Sequence, residues 1–537
     1  MAKLVFYNGK IHTFNKNNDI YQAMLIENNK IKYVGSNEQI EKYVDIADEV
    51  IDLNKKTVVP GFIDSHLHLL AYGKSLNQVN LSNCRSIEEI VNTCKKFMID
   101  NKISKNQWLI GNGWNHENFS ERRMLTKYDL DKISTDIPIV LRRACLHVTS
   151  CNSKALLAAH ISPSSVIDGG IVEVVNNDTT GVLFENAAKL IDGVIPEYSR
   201  QDKKELVIKA INKLNSYGIT SVHTDDLAKD NGGLEMLDVY KELEKEKKLN
   251  VRINVQSRIT SYEEAKRYFD FGFHRYKGTS NFNINAIKLL GDGSLGGKTA
   301  AMNEVYENSE ETGIALFTQQ ELDSIVEICH INDVPVVIHA IGDKIIDMAI
   351  ESFIKAKTKH PEHSDVRHGV VHCQISSKQA LDKMIQNNIL AYIQPIFISS
   401  DYKIVEKTVG RERAEYSYNW KTLNDGGVSI TFGTDCPVET PNPYENIYCA
   451  VTRKSLEGNP QNGFNLEQSL TVDESVKAYT INCAYASYEE NIKGSIEIDK
   501  VADFAVLSDD IFSIEKEKIK DICCIMTVKD GIIVYEK

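Results

Sequence analysis

The middle of the chain alternates short apolar runs with longer stretches of helical periodicity. The apolar runs are rich in β-branched residues, and strands that alternate with helices indicate βαβ units and a parallel sheet. We predict strands at Val58–Ser65, Ile219–Asp225, Val251–Ser257, Ile284–Gly291, Val334–Ala340, Gly369–Cys373, Ile389–Gln394 and Val428–Gly433. Eight such units predict an α/β fold, a TIM-like (β/α)8 barrel.

Both ends of the chain have a different pattern, in which short strands flank tight turns. Near the N-terminus, Asn8-Gly9 and Asn28-Asn29 each separate two short apolar runs, which predicts two β-hairpins. Lys529-Asp530-Gly531 separates a similar pair near the C-terminus. We therefore predict a small β-sandwich domain from both termini, residues 1–56 plus 487–537, and a barrel domain over residues 57–486.

A long gap separates the first predicted barrel strand from the second. A βα crossover needs far fewer residues, so we predict an insertion at about residues 75–200, at the mouth of the barrel. It contains Trp114 and His116 in a cluster of aromatic and polar residues, and also His147. These three, with Lys298 of a later loop, are candidates for substrate contact, although a structural role explains each of them equally well.

The first predicted strand ends in a His-x-His motif, His66-Leu67-His68. Residues i and i+2 of a strand point to the same face, so both imidazoles can reach one point. Neutral imidazole is a common ligand of zinc and related metals. Two unrelated loop histidines are the alternative, but the position directly after a buried strand favours a metal site.

Other polar residues follow the predicted strands in the same way, namely His339, His372 and Asp435. Active sites of such barrels lie where the carboxyl ends of the strands converge, so we expect these side chains to meet there. The chain has 14 histidines, and most of the others fall in predicted loops or in the insertion. His223 lies inside a predicted strand, where a core histidine is the simpler interpretation.

Lys288 lies within an apolar predicted strand, where a buried ammonium group is unfavourable. Burial lowers the pKa of a lysine and yields a neutral, nucleophilic amine. Such an amine can react with carbon dioxide to give a carbamate, which can bridge two metals. Two alternatives are open: Lys288 reaches the barrel rim, or it pairs with Asp292.

Composition restricts the partners of this protein. The 537 residues are 42% hydrophobic and carry a formal net charge of −13, which argues against nucleic acid or an anionic membrane as partner. We find no signal-peptide pattern and no apolar run of membrane-spanning length. The 11 cysteines form no CxxC pair and are typical of a reduced, cytoplasmic protein. A homodimer is left open.

The chain contains a series of motifs in the order typical of the amidohydrolase superfamily, and it resembles in particular the branch that includes N-substituted formamide deformylase. The resemblance covers nearly the whole chain. It rests on the motifs Pro60 to His68, Lys288 to Ala300 (KLLGDGSLGGKTA), His339 to Asp343, Arg367 to His372, Gly433 to Val438 and Gly494 to Phe504. Lys298, where this branch more often has arginine, Val371, where a glutamate is common, and the segment around Cys145 depart from the family pattern.

The resemblance implies a metal centre. His66 and His68 would hold one metal, His339 and His372 a second, and a carboxylated Lys288 would bridge them. Asp435 would be both a ligand and the catalytic proton shuttle. We expect a divalent metal, zinc in the first instance, with one or two ions per chain. The departures from the family pattern affect substrate contacts and leave the ligands intact.

These features predict a hydrolase that cleaves an amide, formamide or cyclic amide C–N bond of a small molecule by metal-activated hydroxide. One alternative is a one-metal deaminase or isomerase of a cyclic amidine, which needs no carboxylated lysine. A second is a non-catalytic homologue, against which the intact set of ligands argues. A third is a lyase with Lys288 as a Schiff base, which leaves the histidines unexplained.

Overall fold

The computed structural model describes residues 3–105, 107–145, 147–227, 233–275 and 277–537. The chain forms two compact units: Tyr72–Leu206, and a larger unit made of Met1–Ala71 together with Val207–Lys537. Within the described ranges, no helix has the length and apolar character needed to cross a lipid bilayer.

The N-terminal part of the larger unit consists mainly of short strands. They are β1 (Lys3–Tyr7), β2 (Lys10–His12), β3 (Ile20–Tyr21), β4 (Ala23–Glu27), β5 (Lys30–Gly35), β6 (Glu49–Asp52) and β7 (Thr57–Pro60), with helix α1 (Asn37–Val44) after β5. The hairpin predicted at Asn28-Asn29 is confirmed, since β4 and β5 pair antiparallel.

The hairpin predicted at Asn8-Gly9 is wrong. Strand β1 pairs with β4 and β6, whereas β2 pairs with β3 and β7 in another sheet. The turn instead carries the chain from one sheet to the other. The Gly9 N–H in this turn donates to the Gln22 carbonyl oxygen at 2.9 Å. Phe6 and Ile11, on either side of this turn, lie in one hydrophobic cluster.

Strand β8 (Phe62–Leu67) and helix α2 (Leu69–Leu76) precede the elements of the smaller unit. Its sheet has the order β13-β14-β12-β11-β10-β9. The elements are β9 (Val79–Asn80), α3 (Ile87–Asp100), β10 (Leu109–Trp114), α4 (Lys127–Leu130), β11 (Ile139–Arg143), β12 (Val148–Cys151), α5 (Ser153–Ala158), β13 (Gly170–Val175), β14 (Asp178–Glu185) and α6 (Ala188–Asp192), followed by α7 (Arg200–Asn215).

The larger unit contains a nearly closed barrel of parallel strands. Together with β8 it is built from β15 (Ile219–Thr224), β16 (Arg252–Arg258), β18 (Phe282–Leu290), β19 (Val336–Ala340), β20 (Gly369–His372), β21 (Leu390–Ile393) and β22 (Ile430–Phe432), while the short β17 (Lys277–Gly278) pairs antiparallel with β18. Neighbours along the sheet follow the order of the chain. The eight-stranded parallel barrel predicted from the sequence is confirmed.

Helices connect the barrel strands or follow the last one. They are α8 (Glu235–Lys245), α9 (Tyr262–Asp270), α10 (Gln319–His330), α11 (Asp343–Lys359), α12 (Lys378–Asn387), α13 (Ile398–Asp401), α14 (Val405–Val409), α15 (Arg411–Ala414), α16 (Trp420–Asp425), α17 (Pro443–Thr452), α18 (Val472–Ala478) and α19 (Ile481–Ala486). Helix α10 begins with a capping box in which Thr318 and Glu321 satisfy each other's backbone N–H groups.

The C-terminal strands are β23 (Phe504–Leu507), β24 (Cys524–Lys529) and β25 (Ile532–Glu536). They join the N-terminal strands in one sheet of order β25-β24-β23-β7-β2-β3. The predicted first barrel strand, Val58–Ser65, is therefore two strands. The chain changes sheets at Gly61, where a side chain would lie 2.2 Å from the Thr220 Oγ1 atom, and only β8 enters the barrel.

Candidate metal centre

The polar residues predicted at the strand ends come together at one end of the barrel. His66 lies in β8 and His68 directly after it, while His339 and His372 lie in β19 and β20. The ring centroids are 5.4 Å apart for His66 and His68, 5.5 Å for His66 and His372, and 4.4 Å for His339 and His372. Four imidazoles thus surround one small volume.

Asp435 completes this cluster from the turn after β22. Its Oδ1 atom lies 3.0 Å from His68 Nε2 and 3.3 Å from His66 Nε2. Potential ligand atoms of Asp435, His66 and His372 lie within 4.8 Å of one another. The Asp435 N–H donates to the His66 carbonyl oxygen at 2.8 Å, so the last strand end is fixed against the first.

Hydrogen bonds determine which nitrogen each histidine directs into the cluster. His372 Nδ1 donates to Gln394 Oε1 at 2.7 Å, which leaves Nε2 with the lone pair. His339 is oriented the other way, because its Nε2 donates to the Gly293 carbonyl oxygen at 3.0 Å and Nδ1 keeps the lone pair. His68 Nδ1 lies 2.5 Å from Asp225 Oδ1, so the ring directs Nε2 toward Asp435.

The surroundings hold most of these histidines neutral. Burial lowers the pKa of His66 and of His339 to about 4, and the charge of Lys288 acts in the same direction. Burial likewise holds the pKa of His372 well below its ordinary value. Burial opposes protonation of His68 as well, but the carboxylates of Asp225 and Asp435 raise its pKa to about 10.

Asp435 remains a carboxylate although its side chain is mostly buried. Burial by itself raises the pKa of such a group. The hydrogen bonds from His66 and His68 outweigh that effect and hold the pKa of Asp435 well below its ordinary value. A carboxylate beside the neutral imidazoles of His66, His339 and His372 is a donor set that suits zinc and related divalent metals.

Lys288 lies beneath this cluster in β18 and is only 1% exposed. Burial lowers its pKa to about 8, while the charges of Asp225 and Asp435 oppose the shift. Among the described residues, its Nζ atom has no hydrogen-bond partner. The alternative that Lys288 reaches the rim is therefore wrong.

The alternative pairing of Lys288 with Asp292 is also not what the structure has. The Asp292 carboxylate accepts hydrogen bonds from the backbone N–H groups of Ala301 and Gly342, both at 2.9 Å, and of Ile341, at 3.1 Å. It therefore organises the loop around the site, and Lys288 faces the histidine cluster.

Three polar residues of the site were missed in the sequence. Asp225 directly follows β15, Arg258 ends β16 and Gln394 directly follows β21, so each occupies the same kind of strand-end position as the ligands. The signal that identified the histidines would have found them too.

A cavity of about 260 Å³ adjoins the cluster and is lined by His339, His372 and Asp435. Phe397 and Leu295 contribute apolar surface, and Asp401 and Glu439 contribute carboxyl groups. Burial raises the pKa of Glu439 to about 7. The cavity brings a small molecule next to the candidate ligands.

The candidate substrate contacts have various surroundings. Trp114 is fully buried in the core of the smaller unit, where its indole N–H donates to the Leu141 carbonyl oxygen at 2.9 Å. The prediction that Trp114 contacts substrate is wrong, because its side chain is part of the hydrophobic core. His116 accepts from Arg143 Nε at 3.3 Å, the exposed His147 Nδ1 lies 2.9 Å from Glu185 Oε2, and Lys298 donates to the Glu307 carbonyl oxygen at 3.3 Å. A substrate role for these three stays a prediction.

His223, in β15, is buried and is not one of the three residues, His66, His372 and Asp435, whose potential ligand atoms lie within 4.8 Å of one another. Burial lowers its pKa to about 3, and Lys493 acts in the same direction. The interpretation of His223 as a core histidine agrees with this position.

The model of the amidohydrolase family matches residues 49–535. This chain belongs to the amidohydrolase family.

Similar proteins span the full length of this amidohydrolase. The Bacillus subtilis (strain 168) protein YtcJ is 33% identical over 100% of both chains, and the N-substituted formamide deformylase of Arthrobacter pascens is 23% identical over 100% of this chain and 99% of its own. An uncharacterised metal-dependent hydrolase from Pyrococcus horikoshii has a similar structure, with a TM-score of 0.77 and 27% identity over 96% of this chain and 99% of that one. The predicted family and the coarser prediction of a hydrolase are thereby supported.

Proposed function

We propose that this amidohydrolase uses a divalent metal to hydrolyse a non-peptide C–N bond of a small molecule, in an amide, a formamide or a cyclic amide. The observation that carries this proposal is the convergence of four histidines, Asp435 and Lys288 at the carboxyl ends of the barrel strands. The similarity to a metal-dependent hydrolase and to a formamide deformylase agrees with it.

The residues fit a metal of the zinc type. His66 and His68 would bind through Nε2, the atoms that they direct toward Asp435, while His372 would bind through Nε2 and His339 through Nδ1, the atoms opposite their outer hydrogen bonds. A bound divalent metal would lower the pKa of water toward neutrality and polarise a carbonyl group. The partly apolar cavity would exclude bulk water from the reacting bond.

Asp435 would move the proton during turnover. Its carboxylate would accept the proton of the attacking water and then donate it to the leaving nitrogen. Hydrogen bonds from His66 and His68 hold Asp435 in its carboxylate form, as a general base requires. The left-handed backbone at Asp435, with φ 57°, directs the side chain back toward β8.

Lys288 would supply an anionic ligand. Its neutral amine would add to carbon dioxide, forming an Nζ–C bond and releasing one proton, to give a carbamate. Burial favours the neutral amine, and no hydrogen bond to another described residue ties up its Nζ atom. The carbamate would add an anionic oxygen ligand to the histidines and Asp435 that would hold the metal.

A screen of C–N substrates tests this function. The purified protein, supplied with zinc, is incubated with formamides, N-acylated amines and cyclic amides, and released amine and carboxylate are quantified. We expect at least one class to be hydrolysed, with loss of activity after chelation and recovery on adding metal back. Release of ammonia from cyclic amidines, with all amides left intact, would instead support the deaminase.

A further inference from the structure

We propose that Asp225, held by Arg258, is a positioning residue that fixes His68 as a metal ligand through Nε2. This inference rests on the proposed function, since it concerns a ligand of the proposed metal. It adds a residue pair outside the ligand set and gives that pair a measurable role in metal affinity.

The two oxygens of Asp225 have different partners. Oδ1 lies 2.5 Å from His68 Nδ1, and Oδ2 accepts from Arg258 Nε at 3.0 Å and from Arg258 Nη2. A carboxylate is an acceptor only, so His68 Nδ1 must carry the proton of this hydrogen bond. Nε2, which lies 3.0 Å from Asp435 Oδ1, is then the ring nitrogen that would give up its proton and bind a metal.

The contact between Asp225 and Arg258 is buried. Asp225 is 0% exposed, and Arg258 is mostly buried. A buried carboxylate without a partner is strongly destabilising, so the guanidinium is what allows a full negative charge next to His68. The contact of Arg258 with Oδ2 through two nitrogen atoms also fixes the plane of the carboxylate.

The barrel supports both members of the pair. Asp225 directly follows β15 and Arg258 ends β16, and these strands are parallel neighbours in which Thr224 lies opposite Val255. Both side chains therefore start from hydrogen-bonded strands rather than from mobile loops. The imidazole of His68, one residue beyond β8, is thus held by side chains from two neighbouring barrel strands.

His372 offers a comparison within the same site. Its Nδ1 donates to the amide oxygen of Gln394, a neutral acceptor. A carboxylate partner makes an imidazole a stronger donor to metal than an amide does, because it stabilises positive charge on the ring. The two histidines thus differ in their strength as metal ligands, and that of His68 depends on the negative charge of Asp225.

Asp225→Asn in the full-length protein tests this role, because asparagine keeps the shape and removes the charge. The dissociation constant for Zn²⁺ is measured by competition with a chromophoric chelator. We expect it to rise by about 10- to 100-fold, the usual effect of losing an outer partner of a metal-binding histidine. Asp225→Glu, which retains the carboxylate, should recover part of the affinity.

Asp503→Asn is a matched control, because Asp503 pairs with an arginine at the opposite end of β16 from Arg258. Asp503 is buried and pairs with Arg252 at the start of β16, at 2.9 Å between Asp503 Oδ2 and Arg252 Nε. Both asparagine variants should lower the thermal unfolding midpoint of metal-free protein. Only Asp225→Asn should weaken zinc binding, and an equal loss in Asp503→Asn would reduce Asp225 to a structural role.

The outcomes separate this inference from the proposed function. If the wild-type protein binds no zinc, the proposed function fails and this inference fails with it. If the wild type binds zinc and Asp225→Asn binds it equally well, only the inference is overturned. Should Asp225→Asn not fold, Arg258→Lys takes its place, since it loses the two-nitrogen contact and should show a smaller loss of zinc affinity. Unchanged affinity in that variant also contradicts the inference.

Discussion

Replacement of Asp435 by asparagine is expected to lower kcat by about 10²- to 10⁴-fold, the usual contribution of a general acid–base residue. Asparagine keeps the shape and one carbonyl oxygen next to His66 and His68, but it accepts no proton at neutral pH. We would measure kcat on a substrate from the C–N screen, at saturating zinc, together with the metal content of the variant.

The control for this variant is Asp343→Asn. Asp343 is a buried carboxylate at the start of α11 that accepts from the Asn303 N–H at 2.8 Å, and it is outside the candidate ligand set. It should retain most of the activity. Near-full turnover of Asp435→Asn with metal still bound would show that another group moves the proton.

Replacement of Lys288 by alanine should remove metal from the protein. Loss of the hydrogen-bond partner of a metal ligand lowers metal affinity by about 10- to 100-fold. Loss of the bridging anion itself should lower zinc affinity at least as much. Elemental analysis of the purified variant measures the remaining metal. A short carboxylate such as acetate, added to the medium, should restore part of the binding because it supplies the missing oxygen ligands.

Lys288→Arg distinguishes a carbamate from a structural cation. Arginine keeps a positive charge in β18 but stays protonated, so it forms no carbamate. We expect Lys288→Arg to lose metal as Lys288→Ala does. If the arginine variant keeps full metal content and activity, Lys288 serves the fold through its charge, and the bridge is excluded.

The strand-end rule explains why the barrel and the candidate ligands could be predicted from sequence. Apolar runs such as Val334–Ala340 have few alternatives to a buried strand, and a polar residue at their carboxyl end has to face the barrel opening. His339 and His372 follow from that rule without any knowledge of their partners. The grouping of His66 with His372 needed only the closure of the barrel.

Other features depended on contacts that a single sequence does not contain. The turn at Asn8-Gly9 has the residues of a hairpin, but its direction depends on which sheet Ile11 packs into. The need for glycine at position 61 depends on Thr220, which is distant in the chain. The tautomer of His68 depends on Asp225, and the burial of Trp114 on its own sheet. The β-sandwich and the domain boundaries stay predictions.

The most direct test of the metal centre is the metal content of the wild-type protein. The protein is purified without added metal, and elemental analysis is combined with intact mass under native, bicarbonate-containing conditions. Two-metal hydrolysis with a bridging carbamate predicts about two metals per chain. It also predicts extra mass equal to one carbon dioxide, lost on acidification. About one metal without that extra mass would contradict the bridge and favour the one-metal deaminase, and a protein that binds no metal would contradict the proposed function itself.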